Sequence, residues 1–295
     1  MEIIGHQSQI RFLEKMVKQK RIPHALLFSG QEKLGKKTIA LEVAFWFLGE
    51  NLERHPDFIL IEPPQEKKGP GQIQIDQIRE LAWRLSLKPI KAPLMLAIID
   101  GAHLMTKEAQ NCFLKTLEEP KTNSLLILIT EHPGFLLPTI LSRCEQVKFY
   151  PVQKEEISNF LKKKGVSGED LKTLTEISLG RPGVAISFLK NPKKMKEREI
   201  WIKELIRLHK ISIPERFQLA KILSKTENLK EILENWLVYF RFYLIKKSLV
   251  GEVQDSYYSL SRLKKIIEQI QETIFFISTT NVNPRLALEL LMLKF

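Results

Sequence analysis

The stretch that decides the fold is GQEKLGKK, residues 30–37. It fits the pattern of a P-loop, a glycine-rich turn whose backbone N–H groups surround phosphate, at every position except the last. An apolar run at residues 25–28 precedes it, and a helical pattern opens at Lys36. The expected order of strand, turn and helix is therefore present, which separates this match from a chance pattern.

Residues 1–150 alternate apolar runs with amphipathic stretches. Four runs predict buried strands, at residues 25–28, 58–61, 94–99 and 125–129. Their continuous hydrophobicity is typical of a parallel sheet covered on both faces. The stretches between them predict helices, one with Asp76 as its N-cap and another with Thr106 as its N-cap. Strands that alternate with helices indicate a doubly wound α/β sheet.

After Pro151 the strand signal stops and only helices are predicted. Short helices and the turn Asn191-Pro192 delimit a small helical unit. The longer helices that follow are predicted at residues 197–209, 214–224, 229–249, 259–278 and 284–294. The sequence thus predicts an α/β domain over residues 1–150, a helical lid over 151–192 and an all-helical domain over 193–295.

Two positions of the phosphate site depart from those of an active ATPase. Lys37 replaces the Ser or Thr that holds magnesium, and Thr38 lies about 100° further around the helix, so it cannot simply take over. Asp100 ends an apolar run as expected, but Gly101 replaces the glutamate that polarises the attacking water. Loss of a positioned general base costs on the order of 10²–10⁴ in rate. His103 lies near, although a lone histidine there is more often a satisfied surface residue.

The phosphate-binding groups themselves, Gly30, Gly35 and Lys36, are retained. Two alternatives stay open: ATP binds through the backbone and Lys36 with poorly positioned magnesium, or the turn no longer holds nucleotide. No cofactor is required by the sequence. Its two cysteines and six scattered histidines do not form a zinc-ligand pattern, so no metal is expected.

The charge balance permits an acidic or nucleic-acid partner. Among 295 residues, 46 are Lys or Arg and 34 are Asp or Glu, which gives a formal net charge of +12. Lysine clusters are also typical of solvated helix faces, and no nucleic-acid motif accompanies them, so a stand-alone DNA-binding protein is a weaker alternative. No run is long enough to span a membrane and no signal-peptide layout begins the chain, so a cytoplasmic location is expected.

Arg143 is the most specific functional candidate. It lies in Ser142-Arg143-Cys144, directly before the apparent last strand of the α/β core. A guanidinium stays charged and can donate two hydrogen bonds to phosphoryl oxygens. Supplied by a neighbouring chain, such an arginine contributes on the order of 10³–10⁵ in rate. The alternative is an ordinary surface arginine or ion pair.

At these residues the chain resembles the clamp-loader branch of the AAA+ ATPases, over nearly its whole length. The strings that carry the resemblance are RIPHA (21–25), HPD (55–57), IDQIR (75–79), EAQN (108–111), LKTLEEP (114–120), LPTILSRC (137–144) and NVNPRLALE (281–289). The resemblance implies a RecA-like domain, a lid and a helical collar that joins five subunits into a ring. It also implies four kinds of partner: ATP-hydrolysing gamma/tau-type subunits, a delta subunit, a sliding clamp and primer–template DNA.

The resemblance also assigns roles to single residues. Arg143 matches the arginine that completes the ATP site of an adjacent subunit in trans. Thr130 falls at the sensor position after the fourth predicted strand, where a structural hydrogen bond is its expected remaining role. Gly183 stands where active subunits place an arginine in the lid. Family members often carry a four-cysteine zinc module, but residues 45–54 contain no cysteine, so it is not expected here.

Three departures from an active subunit coincide, at Lys37, Gly101 and Gly183. Together they favour a non-hydrolysing subunit of the delta-prime type, without ATPase activity of its own. The alternative is a weakly active ATPase of the gamma/tau type, in which Lys36, Asp100 and Thr130 still function.

Overall fold

The structure of the chain is a computed structural model. It describes residues 2–19, 22–49, 51–66, 69–120, 123–191, 193–226, 228–250, 258–279 and 282–295. Arg21 and Asn281 of the strings quoted above, and Pro192 at the predicted end of the lid, lie outside the described residues.

Five parallel strands form the main sheet. In chain order the strands are β1 Ala25–Ser29, β2 Phe58–Ile61, β3 Gln65–Glu66, β4 Gly69–Pro70, β5 Met95–Asp100, β6 Ser124–Thr130 and β7 Glu145–Lys148. The main sheet has the order β2-β5-β6-β1-β7, while β3 and β4 form a separate pair. The four predicted apolar runs match β1, β2, β5 and β6 to within one residue.

Helices follow or separate these strands and then fill the rest of the chain. The α-helices are α1 Gln7–Lys18, α2 Lys36–Leu48, α3 Ile75–Leu85, α4 Lys107–Glu118, α5 Pro138–Leu141, α6 Lys154–Lys163, α7 Gly168–Ser178, α8 Pro182–Lys190, α9 Lys193–Arg207, α10 Ile213–Leu223, α11 Leu229–Val250, α12 Leu260–Thr279 and α13 Pro284–Met292. The predicted fold class, an α/β core with an all-helical C-terminal part, is confirmed. None of the helices in the described ranges is long and apolar enough to cross a membrane.

The two predicted helix caps differ in outcome. The Thr106 hydroxyl accepts a hydrogen bond from the Ala109 N–H at 3.1 Å, so the cap of α4 is confirmed. The cap of α3 is Gln74 and not Asp76, because Gln74 and Gln77 form a reciprocal capping box. Asp76 lies inside the first turn, where it forms an ion pair with Arg79.

The sheet is covered on both faces, as its apolar strands require. Successive residues of a strand point to opposite faces. Leu27 and Ile99 belong to one apolar layer, together with α3 and α4. Phe28 and Ile98 belong to the other layer, together with α2. Apolar side chains therefore bury both faces of the sheet, and the polar residues Ser29, Asp100 and Thr130 lie at the last positions of their strands.

Contacts divide the chain into two compact units, one consisting of residues up to 66 and Pro70–Ala185, the other chiefly of Ile186–Phe295. The second unit has an apolar core of its own, drawn from α9 to α13. Its largest fully buried side chain is Trp236, whose indole N–H donates to the Trp201 carbonyl at 3.3 Å. The division into three domains at residues 150 and 192 stays a prediction.

Candidate functional site

The two P-loop glycines occupy backbone positions that demand glycine. Gly30 follows β1, has φ +149°, and a Cβ there would lie 2.5 Å from the Phe149 carbonyl oxygen. Gly35 has φ +97° and immediately precedes α2. Left-handed backbone is accessible to glycine without a steric penalty. The loop therefore has the tight turn that a phosphate-binding loop needs.

The buried side chain of Lys36 stabilises this loop through hydrogen bonds to its backbone carbonyls. Its side chain is 5% exposed, and its ammonium donates hydrogen bonds to the Gly30 carbonyl at 2.7 Å and the Gln31 carbonyl at 2.6 Å. Burial lowers the pKa of Lys36, although nearby Glu131 and Asp100 oppose this shift. An ammonium has three donors, so these two bonds leave one for a phosphoryl oxygen.

Lys37 points toward carboxylates. Its ammonium donates a short hydrogen bond to Glu62 and lies 3.5 Å from Oδ2 of Asp100. Burial raises the pKa of Asp100, while the Lys37 charge opposes the shift. Thr38 follows in the same helical turn and is half-buried. The predicted site residues Lys37 and Asp100 are thus in contact, and the partner that sequence reasoning missed is Glu62.

Gly101, which stands where an active ATPase has a glutamate, has a left-handed backbone conformation. Gly101 has φ +74° and precedes the 3-10 turn Ala102–Leu104. A side chain at this position would be strained by its backbone alone. His103 lies in that turn, and its ring contacts the ring of His132 edge-on at 5.3 Å. His103 is half-buried and packs on another ring, so it differs from the satisfied surface residue that was the alternative for a lone histidine.

Thr130 connects the P-loop to the end of β6. Its side chain is buried, and its hydroxyl accepts a hydrogen bond from the His132 N–H at 3.1 Å. Its carbonyl accepts a hydrogen bond from the Gly30 N–H at 3.2 Å. Thr130 therefore makes a structural hydrogen bond, and its backbone fixes the start of the loop.

Gly183 lies directly on the P-loop. Its N–H donates to the Lys33 carbonyl at 2.9 Å, and a Cβ on Gly183 would meet the same oxygen at 2.9 Å and the Lys33 Cα at 3.1 Å. Helix α8 can approach the loop this closely only because this residue has no side chain. The contact between Gly183 and Lys33 has no sequence signal, because the two residues are 150 positions apart.

We expect Gly183→Ala to destabilise the protein by about 1–3 kcal/mol, since the added methyl group would press on backbone atoms of Lys33. A loss of stability would be informative, because alanine is a better helix former than glycine and would normally stabilise a helix at this position. Urea unfolding measures the change. The matched control is Gly134→Ala, where no atom lies within 4 Å of the added Cβ. Equal stability of the two variants would contradict the close packing.

Arg143 lies just after α5 and is partly exposed. Its Nη2 lies 2.9 Å from Oε1 of Glu118, and its Nη1 donates to the Thr139 carbonyl at 3.0 Å. The side chains of Arg143 and Glu118 are 35% and 49% exposed. Two of the five guanidinium donors are used in these contacts. The arginine is therefore oriented by its own chain and still accessible.

A buried amide positions the segment that leads to Arg143. Gln110, in α4, donates from Nε2 to the carbonyls of Met105 at 3.2 Å and Phe135 at 3.1 Å. Its Oε1 accepts from the Leu137 N–H at 2.8 Å. These bonds fix the entry to α5. Gln110 is part of the EAQN string, which lies in the predicted helix capped by Thr106, but the sequence predicted no contact for the Gln110 side chain.

Comparison with known proteins agrees with this geometry. The model of the family described as "DNA polymerase III, delta subunit" matches residues 5–153, which is 149 of the 295 residues. The delta-prime subunit of DNA polymerase III from Bacillus subtilis is 32% identical over 57% of this chain and 55% of its own length. The chain thus spans about half the length of that relative.

Other relatives extend over more of the chain. A replication factor C small subunit from Methanococcus maripaludis is 28% identical over 99% of this chain and 94% of its own length. A DNA polymerase III subunit gamma from Buchnera aphidicola is 28% identical over 78% of this chain and 68% of its own length. A solved structure of a gamma subunit-related protein from Thermotoga maritima, with 18% identity, covers 97% of both chains at a TM-score of 0.53, which shows a shared fold.

The family match covers the P-loop, the strand ends and Arg143 together. The chain therefore belongs to the DNA polymerase III, delta subunit family, within the clamp-loader proteins.

Proposed function

We propose that this chain is a non-hydrolysing, delta-prime-type subunit of a replicative clamp loader, and that it supplies Arg143 in trans to the ATP site of a neighbouring subunit. The observation that carries the proposal is the state of its own site, where Lys37 is paired with Asp100 and Gly101 offers no base. Such a site lacks both the metal ligand and the group that activates water.

The partners follow from the relatives. We propose that the chain assembles with gamma/tau-type ATPase subunits and a delta subunit, and that the assembly acts on a sliding clamp and primer–template DNA in the cytoplasm. The helical domain at 193–295 would be the collar of this assembly, and 1–150 and 151–192 its ATPase-like domain and lid. Residual nucleotide binding would involve Gly30, Gly35, Lys36 and Thr38, and no cofactor is required for the trans role.

The direct test is ATP hydrolysis with and without partners. The purified chain should show no magnesium-dependent turnover above background. Added to gamma-type subunits and delta, it should raise their turnover and support clamp loading. Steady turnover by the chain alone would instead favour the gamma-type alternative, to which the Buchnera relative points. Salt-sensitive DNA binding by the isolated chain would favour the stand-alone DNA-binding alternative.

We expect Glu118 to contribute only weakly to the orientation of the Arg143 side chain. A partly exposed ion pair contributes about 0.2–1 kcal/mol, so it can be exchanged for a phosphoryl group of a neighbour. We therefore expect Glu118→Gln to change the turnover of the reconstituted assembly by less than about fivefold. The same ATPase assay measures it, with Glu119→Gln as a control at the adjacent exposed position. A loss as large as that of an Arg143 variant would mean that Glu118 is indispensable.

A further inference from the structure

A cationic side chain lies among the carboxylates of the degenerate nucleotide site. Lys37 is in the first turn of α2, Glu62 directly follows β2, and Asp100 ends β5. Because β2 and β5 are neighbours in the parallel sheet, the two carboxylates are at the same edge. The Lys37 ammonium donates to Glu62 and lies 3.5 Å from Asp100, so it bridges them.

Magnesium does not fit this arrangement. The ion requires oxygen ligands at about 2.0–2.1 Å in near-octahedral geometry. In P-loop ATPases it is held by the hydroxyl of the last loop residue and by the aspartate at the strand end. Lys37 has no lone pair to offer, and its fixed positive charge adjoins the aspartate that would have to coordinate the metal.

We propose that Lys37 is a built-in counter-ion that takes over the electrostatic role of magnesium at Glu62 and Asp100 and excludes the divalent ion from this site. One ammonium compensates carboxylates that would otherwise repel each other across the pocket. Burial lowers the pKa of Lys37, but the hydrogen bond that Lys37 donates to Glu62 and the charge of Asp100 outweigh burial, so the net shift of the pKa is upward. Lys37 therefore keeps its charge at neutral pH.

The inference concerns the chain's own pocket and does not depend on the role proposed for Arg143. It explains why Glu62 and Asp100 are present in a site without a catalytic base: they balance the lysine. It also implies that restoring the hydroxyl alone changes the metal chemistry of the site, since removal of the lysine exposes both carboxylates.

The test measures binding of Mn²⁺, a paramagnetic substitute for magnesium, to the full chain by electron paramagnetic resonance. The variants are Lys37→Thr, which restores the hydroxyl, and Lys37→Met, which removes the charge at similar length. Lys88→Met, at an exposed loop position, is the matched control. Because unit charges about 4 Å apart interact appreciably even in water, we expect the Lys37 variants to bind Mn²⁺ on the order of tenfold or more tightly than the wild type.

The expected result is a saturable Mn²⁺ site in both Lys37 variants, displaced by Mg²⁺, with no saturation of the wild type or of Lys88→Met over the same concentration range. No gain in either Lys37 variant would overturn the proposal. The wild-type chain provides a second decision that does not depend on the Lys37 variants. A saturable, Mg²⁺-sensitive site there that is lost in Asp100→Asn would overturn the proposal as well.

Discussion

Replacing Arg143 by alanine is expected to slow ATP hydrolysis at the adjacent subunit's site by on the order of 10³–10⁵, the range that a trans-acting arginine contributes. The guanidinium stabilises charge that develops on the transferred phosphoryl group, and alanine leaves that charge uncompensated. Pre-steady-state hydrolysis and clamp loading in the reconstituted assembly measure the effect. Total steady-state turnover should fall by less, because any ATP site of the proposed assembly that is not adjacent to Arg143 would not use this residue.

Two controls separate the role of Arg143 from a structural one. Arg143→Lys keeps the positive charge but loses the planar guanidinium with its two parallel donors. We therefore expect Arg143→Lys to show most of the rate loss of Arg143→Ala. Arg79→Ala removes another exposed arginine, which forms an ion pair with Asp76, and should leave the rates unchanged. Assembly, followed by size-exclusion chromatography, should be intact in all variants. An Arg143→Ala assembly that loads clamps and hydrolyses ATP at the wild-type rate would contradict the proposed function.

The fold was predictable because its signals are local. Strands β1, β5 and β6 are buried on both faces, so their sequences are continuous apolar runs with no competing interpretation. Thr106 was identified as a cap because its hydroxyl reaches a backbone N–H three residues away. The choice of Asp76 was wrong because another local pair, Gln74 with Gln77, caps the helix two residues earlier.

The site was predictable only in part, because its chemistry depends on contacts between distant segments. Lys37 and Asp100 could be identified as altered positions, but their contact could not. Glu62 had a usable signal, since it follows a strand whose end lies at the same sheet edge as Asp100. Gly183 could also be identified as an altered position, but its contact with Lys33 had no sequence signal, because that contact results from the packing of α8. Sequence identified what was missing from the site, and structure was needed to identify what replaced it.

The second large effect concerns Asp57, a residue of the HPD string. Its side chain is fully buried, and its carboxylate accepts hydrogen bonds from the N–H groups of Ile90 at 2.7 Å, Lys91 at 2.7 Å and Ala92 at 2.8 Å. It thereby ties the start of β2 to the loop before β5. Asp57→Ala should lower the free energy of unfolding by about 3 kcal/mol or more, because a single hydrogen bond to a charged group contributes about 1.5–3 kcal/mol and three such bonds are lost.

The effect should depend on pH in a defined direction. Burial by itself raises the pKa of Asp57, but the three backbone hydrogen bonds outweigh it, so the pKa is lowered from the ordinary 3.8. A carboxylate with a lowered pKa in the folded state stabilises the fold fully above its unfolded pKa. This stability is lost as the pH falls through the folded pKa. The difference in the free energy of unfolding between the wild type and Asp57→Asn should therefore be constant near neutral pH. It should become smaller below about pH 4.

Urea unfolding at a series of pH values measures this difference. Asp57→Asn is the sharper variant, since it keeps the size of the side chain while placing an NH₂ group against backbone donors. Asp76→Asn is the matched control, because Asp76 is 84% exposed and should change stability by no more than about 0.5 kcal/mol. A difference that stays constant down to acidic pH would show that the charge of Asp57 is not what stabilises the fold.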